Sequence, residues 1–226
     1  MTFAGTAVFA GPSIAPDRLA AALPGARIAP PIARGDLELL GGDGIGSFLI
    51  LDGAFAHAQA VSPSEIVDSI AAGARIAGAA SIGAIRAAEC WPAGMAGAGA
   101  VHRLYRLGVL RDDDEVAVAT DPERGFAAVS TALVDVRFAV LAALRRGLLD
   151  RERAGSLLAA ARGLHFASRG WRAIFAAAGV APGAELRSLC EATDVKRRDA
   201  RAAVSLLAAH GGAWPWPAPR WHRSDS

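Results

Sequence analysis

Short apolar runs alternate with helix-like segments over roughly the first 120 residues of this chain. Four of the runs indicate strands, and glycine, proline, aspartate or serine follows each of them directly: 6–10, 26–29, 48–51 and 74–80. Parallel strands are covered by helices on both faces, so they are apolar along their whole length. Alternation at this spacing predicts βαβ units. We therefore expect an α/β fold with a Rossmann-like, mostly parallel sheet, to which Glu115–Ala119 would add a fifth strand.

The second half of the chain has a different pattern. After about residue 124, apolar residues recur with a helical period, first over 129–148 and then in further segments. Those segments are 151–162, 168–178, 184–191 and 195–209. We expect an α/β core over residues 1–124, an all-helical region over 125–212 packed on or beside it, and a Trp/Pro-rich tail over 213–226.

Charge and composition argue against several classes of protein. A net charge of +2 is too small to indicate a nucleic-acid partner, and no apolar run reaches the roughly 18 residues of a membrane span. Without an export signal, the two distant cysteines, Cys90 and Cys190, predict a reducing, cytoplasmic setting. These cysteines and the five histidines lack zinc-ligand spacing, so we expect no metal site and no cofactor.

Ser81 stands where a predicted strand turns directly into helix-forming residues. The pattern Ala79-x-Ser81-x-Gly83 matches a loosened nucleophile elbow, with alanine in place of the first glycine. Such a turn places the hydroxyl at a helix N-terminus, where backbone N–H groups can hold an oxyanion. The same serine could simply cap the helix, because serine is a preferred N-cap residue. The spacing leaves both interpretations open.

Small and polar residues also follow the other predicted strands. In open α/β sheets, ligands lie outside the carboxyl ends of the strands. A carboxylate such as Asp52 at the end of a buried strand is costly unless it is paired or functional. The sequence therefore predicts a site at this edge of the sheet. Its candidates after the first three strands are Gly11, Pro12 and Ser13, then Arg34 and Asp36, then Asp52 and Gly53.

The sequence assigns no general base to Ser81, although a serine nucleophile needs one. His57 follows Asp52 by a few residues, whereas His102 and His165 would approach only through the tertiary fold. Arg86 and Glu89 stand at i and i+3 on the predicted helix after Ser81 and are expected to pair.

A capping box is predicted at the start of the helix near residue 63. Ser62 would be the N-cap, Pro63 the first helical residue and Glu65 the partner at the third helical position.

Seven blocks of the sequence together resemble the TfuA-like family. They occur in order over roughly residues 6–145. The blocks are VFAGPS (8–13), PPIARGDL (30–37), LILDGAF (49–55), SPSEI (62–66), GAASIGAIRAAE (78–89), GMAGAG (94–99) and YRLGVLRDDDEVAV (105–118). The family block often has methionine where this chain has Ile82, which is a conservative apolar change.

The resemblance implies a function beyond what the residues alone indicate. TfuA-like proteins act beside YcaO proteins in the backbone thioamidation of ribosomal peptides. They are thought to hydrolyse the C-terminal thiocarboxylate of a ubiquitin-like sulfur-carrier protein and release sulfide. By this resemblance Ser81, Arg86, Glu89 and Asp52 are the catalytic candidates. Gly11, Pro12, Ser13, Arg34, Asp36, Gly53, Glu65 and Gly83 are the candidates for binding substrate.

Two other functions remain open at this point. The chain could be a non-catalytic adaptor that binds YcaO and presents the sulfur carrier or the precursor peptide, with the helical half and the tail as docking surfaces. A small-molecule or nucleotide-binding module built on residues 11–13 is less well supported, because the chain lacks both the G-x-G-x-x-G fingerprint and a P-loop.

Overall fold

Five parallel strands form the central sheet of the protein. A computed structural model describes residues 2–53 and 60–211. The strands are β1 (Thr6–Phe9), β2 (Arg27–Ala29), β3 (Ser47–Ile50), β4 (Arg75–Gly78) and β5 (Ala96–Gly97), in the spatial order β2-β1-β3-β4-β5. All four residues of β1 and of β3 are buried, as expected for strands covered on both faces. The α/β prediction with a parallel sheet is confirmed.

Helices connect the strands and make up most of the rest of the described chain. Helices α1–α5 alternate with the strands, α6–α9 follow, and α10 comes last. Their bounds are α1 Pro16–Ala22, α2 Asp36–Gly42, α3 Pro63–Ala71, α4 Ile82–Glu89, α5 Gly99–Arg106, α6 Leu133–Arg145, α7 Arg151–Gly163, α8 Trp171–Ala177, α9 Ala184–Ala192 and α10 Val195–Ala209. A two-stranded antiparallel ribbon, β6 (Thr120–Asp121) with β7 (Ala127–Ala128), precedes α6.

The chain divides into two compact units. The first contains residues up to Arg111 and resumes at Lys196, and the second contains Asp112–Val195. The prediction has the core end at residue 124, whereas the first unit ends at Arg111 and also includes α10, which packs on the sheet. Its apolar face, which includes Ala203 and Leu207, packs in one cluster with Leu49 of β3 and Ala77 of β4. In the second unit, α6–α9 surround a separate apolar core.

The prediction of a strand at Glu115–Ala119 is wrong. Residues Asp113–Glu115 form a 3₁₀ turn, and the buried carboxylate of Glu115 accepts hydrogen bonds from Arg137 Nε at 2.7 Å and Nη2 at 2.5 Å. The fifth strand is Ala96–Gly97, inside the glycine-rich stretch 94–99. Such a short strand has no propensity signal of its own, and it forms because it pairs with Ala77 and Gly78 of β4.

Within the described ranges, no helix has both the length and the hydropathy needed to cross a membrane.

Candidate active site

The strand order creates a crevice between the carboxyl ends of β1 and β3. Helix α1 connects β1 to β2 in one direction along the sheet, and α2 connects β2 to β3 in the opposite direction. Since such crossovers are right-handed, α1 and α2 lie on opposite faces of the sheet. Ligands of open α/β sheets bind at this kind of switch point. The crevice is bordered by residues 11–13 after β1 and by Asp52 after β3.

Asp52 anchors the loop that follows β1. Its carboxylate is almost fully buried and accepts three hydrogen bonds from that loop. Oδ2 accepts the N–H groups of Gly11 at 2.9 Å and Ser13 at 3.0 Å, and Oδ1 accepts the Ser13 hydroxyl at 2.6 Å. Charge-assisted hydrogen bonds of this kind offset the desolvation of a buried carboxylate. They account for the position of Asp52 at a buried strand end.

Ser81 lies in a constrained turn between β4 and α4. The preceding residue, Ala80, has φ +65°, a left-handed conformation that costs a non-glycine residue about 1 kcal/mol. Ser81 is the N-cap residue of α4, and 1% of its surface is exposed. Its side chain makes no capping hydrogen bond to the helix. Capping therefore does not account for the buried hydroxyl.

Two glycines bring the start of α4 against the sheet. A Cβ atom on Gly83 would overlap the carbonyl oxygen of Ile50 in β3, and one on Gly78 would overlap the carbonyl oxygen of Gly83. The Ser81 N–H donates to Leu51 O at 3.1 Å, which ties the turn to the end of β3. The first helical N–H groups, of Ile82 and Gly83, have no acceptor inside the helix and carry its positive partial charge.

Arg86 links α4 to the start of α3. Its Nη1 donates to Glu89 Oε2 at 2.7 Å, which confirms the predicted i, i+3 pair. Its Nε donates to the carbonyl oxygen of Val61 at 2.8 Å, one residue before Ser62. Arg86 is thus largely buried and committed to two described acceptors, and it positions the segment that enters α3.

Glu65 connects α3 to α2 rather than completing a capping box. Ser62 Oγ accepts the Glu65 N–H at 3.2 Å, which is one half of the predicted box. Oε1 of Glu65 instead accepts the Gly35 N–H at 2.9 Å, because the tertiary fold brings α2 beside it. Its Oε2 atom is buried without a hydrogen-bond partner among the described residues.

The segment 32–36 lies beside the crevice. Ile32 pairs with Gly53 in an isolated parallel bridge, and its N–H donates to Asp52 O at 2.9 Å. Oδ2 of Asp36 accepts the Ala33 N–H at 2.8 Å and so holds the turn before α2. The structure thus brings the predicted residues into two groups. Asp52 holds Gly11 and Ser13, and Glu65 holds Gly35.

Two buried titratable groups near the end of β5 carried no local signal in the sequence. Burial, with smaller contributions from the positive charges of Arg106 and Arg103, lowers the pKa of His102 to about 4. Its Nε2 lies over Gly97, where a Cβ atom would overlap it, and has no hydrogen-bond partner among the described residues. Asp199 of α10 accepts the Val101 N–H at 2.8 Å, and burial raises its pKa. Only the tertiary fold brings these groups together.

Comparison with known families supports an identity. The model of the family described as TfuA-like protein matches residues 52–170, more than half of the chain. The chain belongs to the TfuA-like family. No curated protein matches the chain. The family match begins at Asp52 and includes Ser81, Arg86 and Glu89, whereas the Gly11–Ser13 loop lies before it.

Neither cysteine of this TfuA-like protein is suited to act as a nucleophile at neutral pH. Burial raises the pKa of Cys90 to about 11, with a smaller contribution from Glu89. Burial likewise raises the pKa of Cys190 to about 11, with a smaller contribution from Glu191. A thiol is nucleophilic as its thiolate, so both groups are unreactive in this state.

Two of the predicted features fall outside the part of the chain that the structure describes. They are His57 and the Trp/Pro-rich tail over 213–226. Among the described residues, no cluster of three or more His, Cys, Asp or Glu side chains is arranged to hold a metal ion.

Proposed function

We propose that this TfuA-like protein supports YcaO-dependent backbone thioamidation of a ribosomal peptide by releasing sulfide from a ubiquitin-like sulfur-carrier protein. The observation that carries the proposal is the turn at Ser81. A buried hydroxyl that does not cap its helix stands after a left-handed residue, at the carboxyl edge of a parallel sheet. That arrangement supports acyl-transfer chemistry on the C-terminal thiocarboxylate of the carrier.

The reaction is the hydrolysis of a thiocarboxylate. A C–O bond forms at the thiocarboxylate carbon and the C–S bond breaks. One water molecule is consumed, and the products are the carrier carboxylate, HS⁻ and a proton. In the nucleophilic version, Ser81 Oγ forms the new bond first, sulfide leaves, and water then hydrolyses the serine ester. The N–H groups of Ile82 and Gly83 stabilise the oxyanion that develops at the carbon.

Asp52 is the candidate acceptor for the proton of the hydroxyl or of the attacking water. Leu51, the residue before it, accepts the Ser81 N–H, and this backbone contact supports the choice of Asp52 among the carboxylates. Arg86 and Glu89 keep α4 in place against α3. Ser13 and Ser81 are both almost fully buried, so the reaction requires the loops at this edge to separate when the carrier tail binds.

The decisive experiment measures sulfide release from a thiocarboxylated carrier protein by the isolated chain. Wild type should release sulfide, and Ser81→Ala should reduce the rate by about 10²-fold or more. Ser188→Ala, at an exposed position of α9, is the matched control and should have no effect. Circular dichroism should show the same fold for all three proteins. A Ser81→Ala variant that releases sulfide at the wild-type rate would remove the nucleophile from the proposal.

A second candidate function, an adaptor that docks on YcaO, is favoured by one exposed apolar stretch. Leu107 and Val109, just after α5, are 69% and 65% exposed. Exposed apolar side chains of this kind suit a protein partner.

Dose dependence separates the enzyme from the adaptor. An enzyme supports thioamidation at trace amounts relative to YcaO, whereas an adaptor must match YcaO in amount. Leu107→Asp should weaken co-purification with YcaO if this stretch is the docking surface. The same change at exposed Leu206 of α10 is the matched control.

A further inference from the structure

A groove separates α2 from α3 on one face of the sheet. Its volume is about 820 Å³. Gly35 and Ser62 line one end, where both helices begin, and Gly46 and Ala74 line the other end, where the next strands begin. Phe48 of β3 lines it between these ends. The groove therefore runs along the full length of both helices, from the carboxyl edge of the sheet to the amino edge.

The shape of the groove suits an extended peptide. The nine residues of α3 span about 13 Å, at about 1.5 Å per residue. An extended chain advances about 3.3 Å per residue, so about four residues of peptide would lie beside the helix. Several of the lining residues are glycines, among them Gly41 and Gly73, which leave room beside the backbone.

The charge of the groove selects a basic ligand. Three carboxylates line it, from Glu38, Glu65 and Asp68, against the single guanidinium of Arg34. One of the six carboxylate oxygens, Glu65 Oε2, is buried and has no hydrogen-bond partner among the described residues. A buried acceptor without a donor is costly, so a peptide N–H or a basic side chain in the groove would draw this oxygen toward it and satisfy it.

The end of the groove at Ser62 adjoins the Ser81 site. Arg86, five residues after Ser81 on α4, donates to the carbonyl oxygen of Val61, the residue directly before Ser62. A peptide that lies in the groove with its C-terminus at this end therefore presents that terminus at the same edge of the sheet as Ser81.

We propose that the groove between α2 and α3 binds the extended C-terminal tail of the sulfur-carrier protein. A basic side chain of the tail lies against Glu38 and Asp68, and a backbone N–H of the tail donates to Glu65 Oε2. That the tail belongs to the sulfur-carrier protein rests on the proposed function. The preference for an extended, basic peptide rests on the groove alone.

Two fluorescein-labelled peptides test this preference by fluorescence anisotropy. One has the sequence Gly-Arg-Gly-Arg-Gly-Gly and the other Gly-Glu-Gly-Glu-Gly-Gly. The arginine peptide should bind at least about tenfold more tightly than the glutamate peptide. Its binding should weaken as the ionic strength rises from about 0.05 M to about 0.5 M, because the carboxylates of Glu38 and Asp68 are exposed to solvent. Equal binding of the two peptides, or binding of neither, would overturn the proposal.

Two alanine-to-tryptophan variants locate the binding. Ala72, which is exposed, lines the groove at the end of α3, and Ala21 is exposed on α1, on the opposite face of the sheet. Ala72→Trp should weaken binding of the arginine peptide by at least about tenfold, and Ala21→Trp should leave it unchanged. Matching thermal melts would show that both variants are folded. Equal binding by Ala72→Trp and Ala21→Trp would place the peptide elsewhere and overturn the proposal.

Sulfide release by the same two variants separates this proposal from the proposed function. Ala72→Trp should raise KM for the thiocarboxylated carrier with little change in kcat, since the groove binds the tail and does not touch the reacting carbon. If wild type binds the peptide but releases no sulfide, the proposed function is contradicted and the proposal for the groove is retained. Sulfide release with the same KM in Ala72→Trp and Ala21→Trp would contradict the groove and leave the function standing.

Discussion

Asp52 binds Ser13 twice, through the backbone N–H at 3.0 Å and through the side-chain hydroxyl at 2.6 Å. A single carboxylate thereby fixes both the backbone and the rotamer of the residue that faces it across the crevice between β1 and β3. The third bond, from Gly11, extends the anchor to the start of the loop. The shape of this side of the candidate site depends on one side chain.

Asp52→Asn should destabilise the protein by about 2–4 kcal/mol, because the amide removes the charge that strengthens these bonds and its nitrogen cannot accept the Ser13 hydroxyl proton. Urea denaturation measures the loss in the free energy of unfolding. Ser13→Ala removes only the hydroxyl bond and should cost about 1 kcal/mol. The two losses should be less than additive in the double variant, because both remove that bond. Full additivity would contradict the coupling.

Gly83→Ala should destabilise the protein by about 3 kcal/mol or more, because the added Cβ would overlap Ile50 O in a rigid strand. Gly155→Ala is the matched control, since Gly155 is within helix α7 and has open space at its Cβ position. That change should stabilise the protein by up to about 1 kcal/mol. Thermal melting of both variants tests the contrast. Similar melting temperatures would mean that α4 can withdraw from the sheet.

Ala80→Gly should stabilise the protein by about 0.5–1 kcal/mol, because glycine adopts φ +65° without the steric cost that alanine carries. At the neighbouring buried Ala79, outside the left-handed conformation, the same change should destabilise it by a similar amount or more. Urea denaturation compares the two variants. Loss of stability in Ala80→Gly would mean that the packing of the Ala80 methyl group contributes more free energy than the left-handed conformation costs.

The sequence pattern predicts most of the sheet but only part of the candidate site. The strands β1, β3 and β4 are largely apolar after their first residue, and the turn at Ser81 has small residues on both sides. Local pattern carries both signals. Gly97 of β5 and the acceptor of Arg86, Val61, depend on partners distant in sequence, so no local pattern indicates them. For the same reason the sequence predicts that the carboxylate of Glu65 caps its own helix, since nothing near it in sequence points to Gly35.

Acid should lower the stability of the first unit, because His102 takes up a proton more readily in the unfolded chain. Its pKa is about 4 in the folded protein and 6.5 in the unfolded chain. Between these values the unfolded chain binds more protons, so stability falls as the pH drops from 6.5 to 4. His102→Gln removes this dependence. Denaturation at about pH 5 and about pH 7.5 should show a smaller loss in the variant than in wild type.

Comparing the loss of stability in wild type and in His102→Gln separates the effect of His102 from that of Asp199. The raised pKa of Asp199 changes stability with pH in the opposite direction. Because the pKa of Asp199 is higher in the folded protein than in the unfolded chain, the protein loses stability as the pH rises through the folded-state pKa. This contribution is common to wild type and His102→Gln and cancels in the difference. An identical acid loss in both proteins would contradict the assignment to His102.

Arg169→Lys should destabilise the second unit by about 3 kcal/mol. The guanidinium is fully buried and donates to Ala161 O at 2.9 Å, Leu164 O at 3.1 Å and Asp114 Oδ2 at 2.6 Å. An ammonium group cannot reach the same acceptors in this fork geometry. The control is Arg27→Lys, whose pair with Asp43 is half exposed and should change stability by less than about 0.5 kcal/mol. Equal effects in urea denaturation would contradict the role of burial.

The position of α10 in the first unit has a consequence for synthesis. The strands of the sheet are all translated before residue 100, yet the helix that covers Ala77 and Leu49 on one face is translated some hundred residues later. At about 5–20 residues per second, that face of the nascent sheet waits about 5–20 s for its cover. The second unit is translated during that interval, and the sheet cannot finish folding until its last helix leaves the ribosome. A chaperone that shields apolar surface would find its binding site on this face during that time.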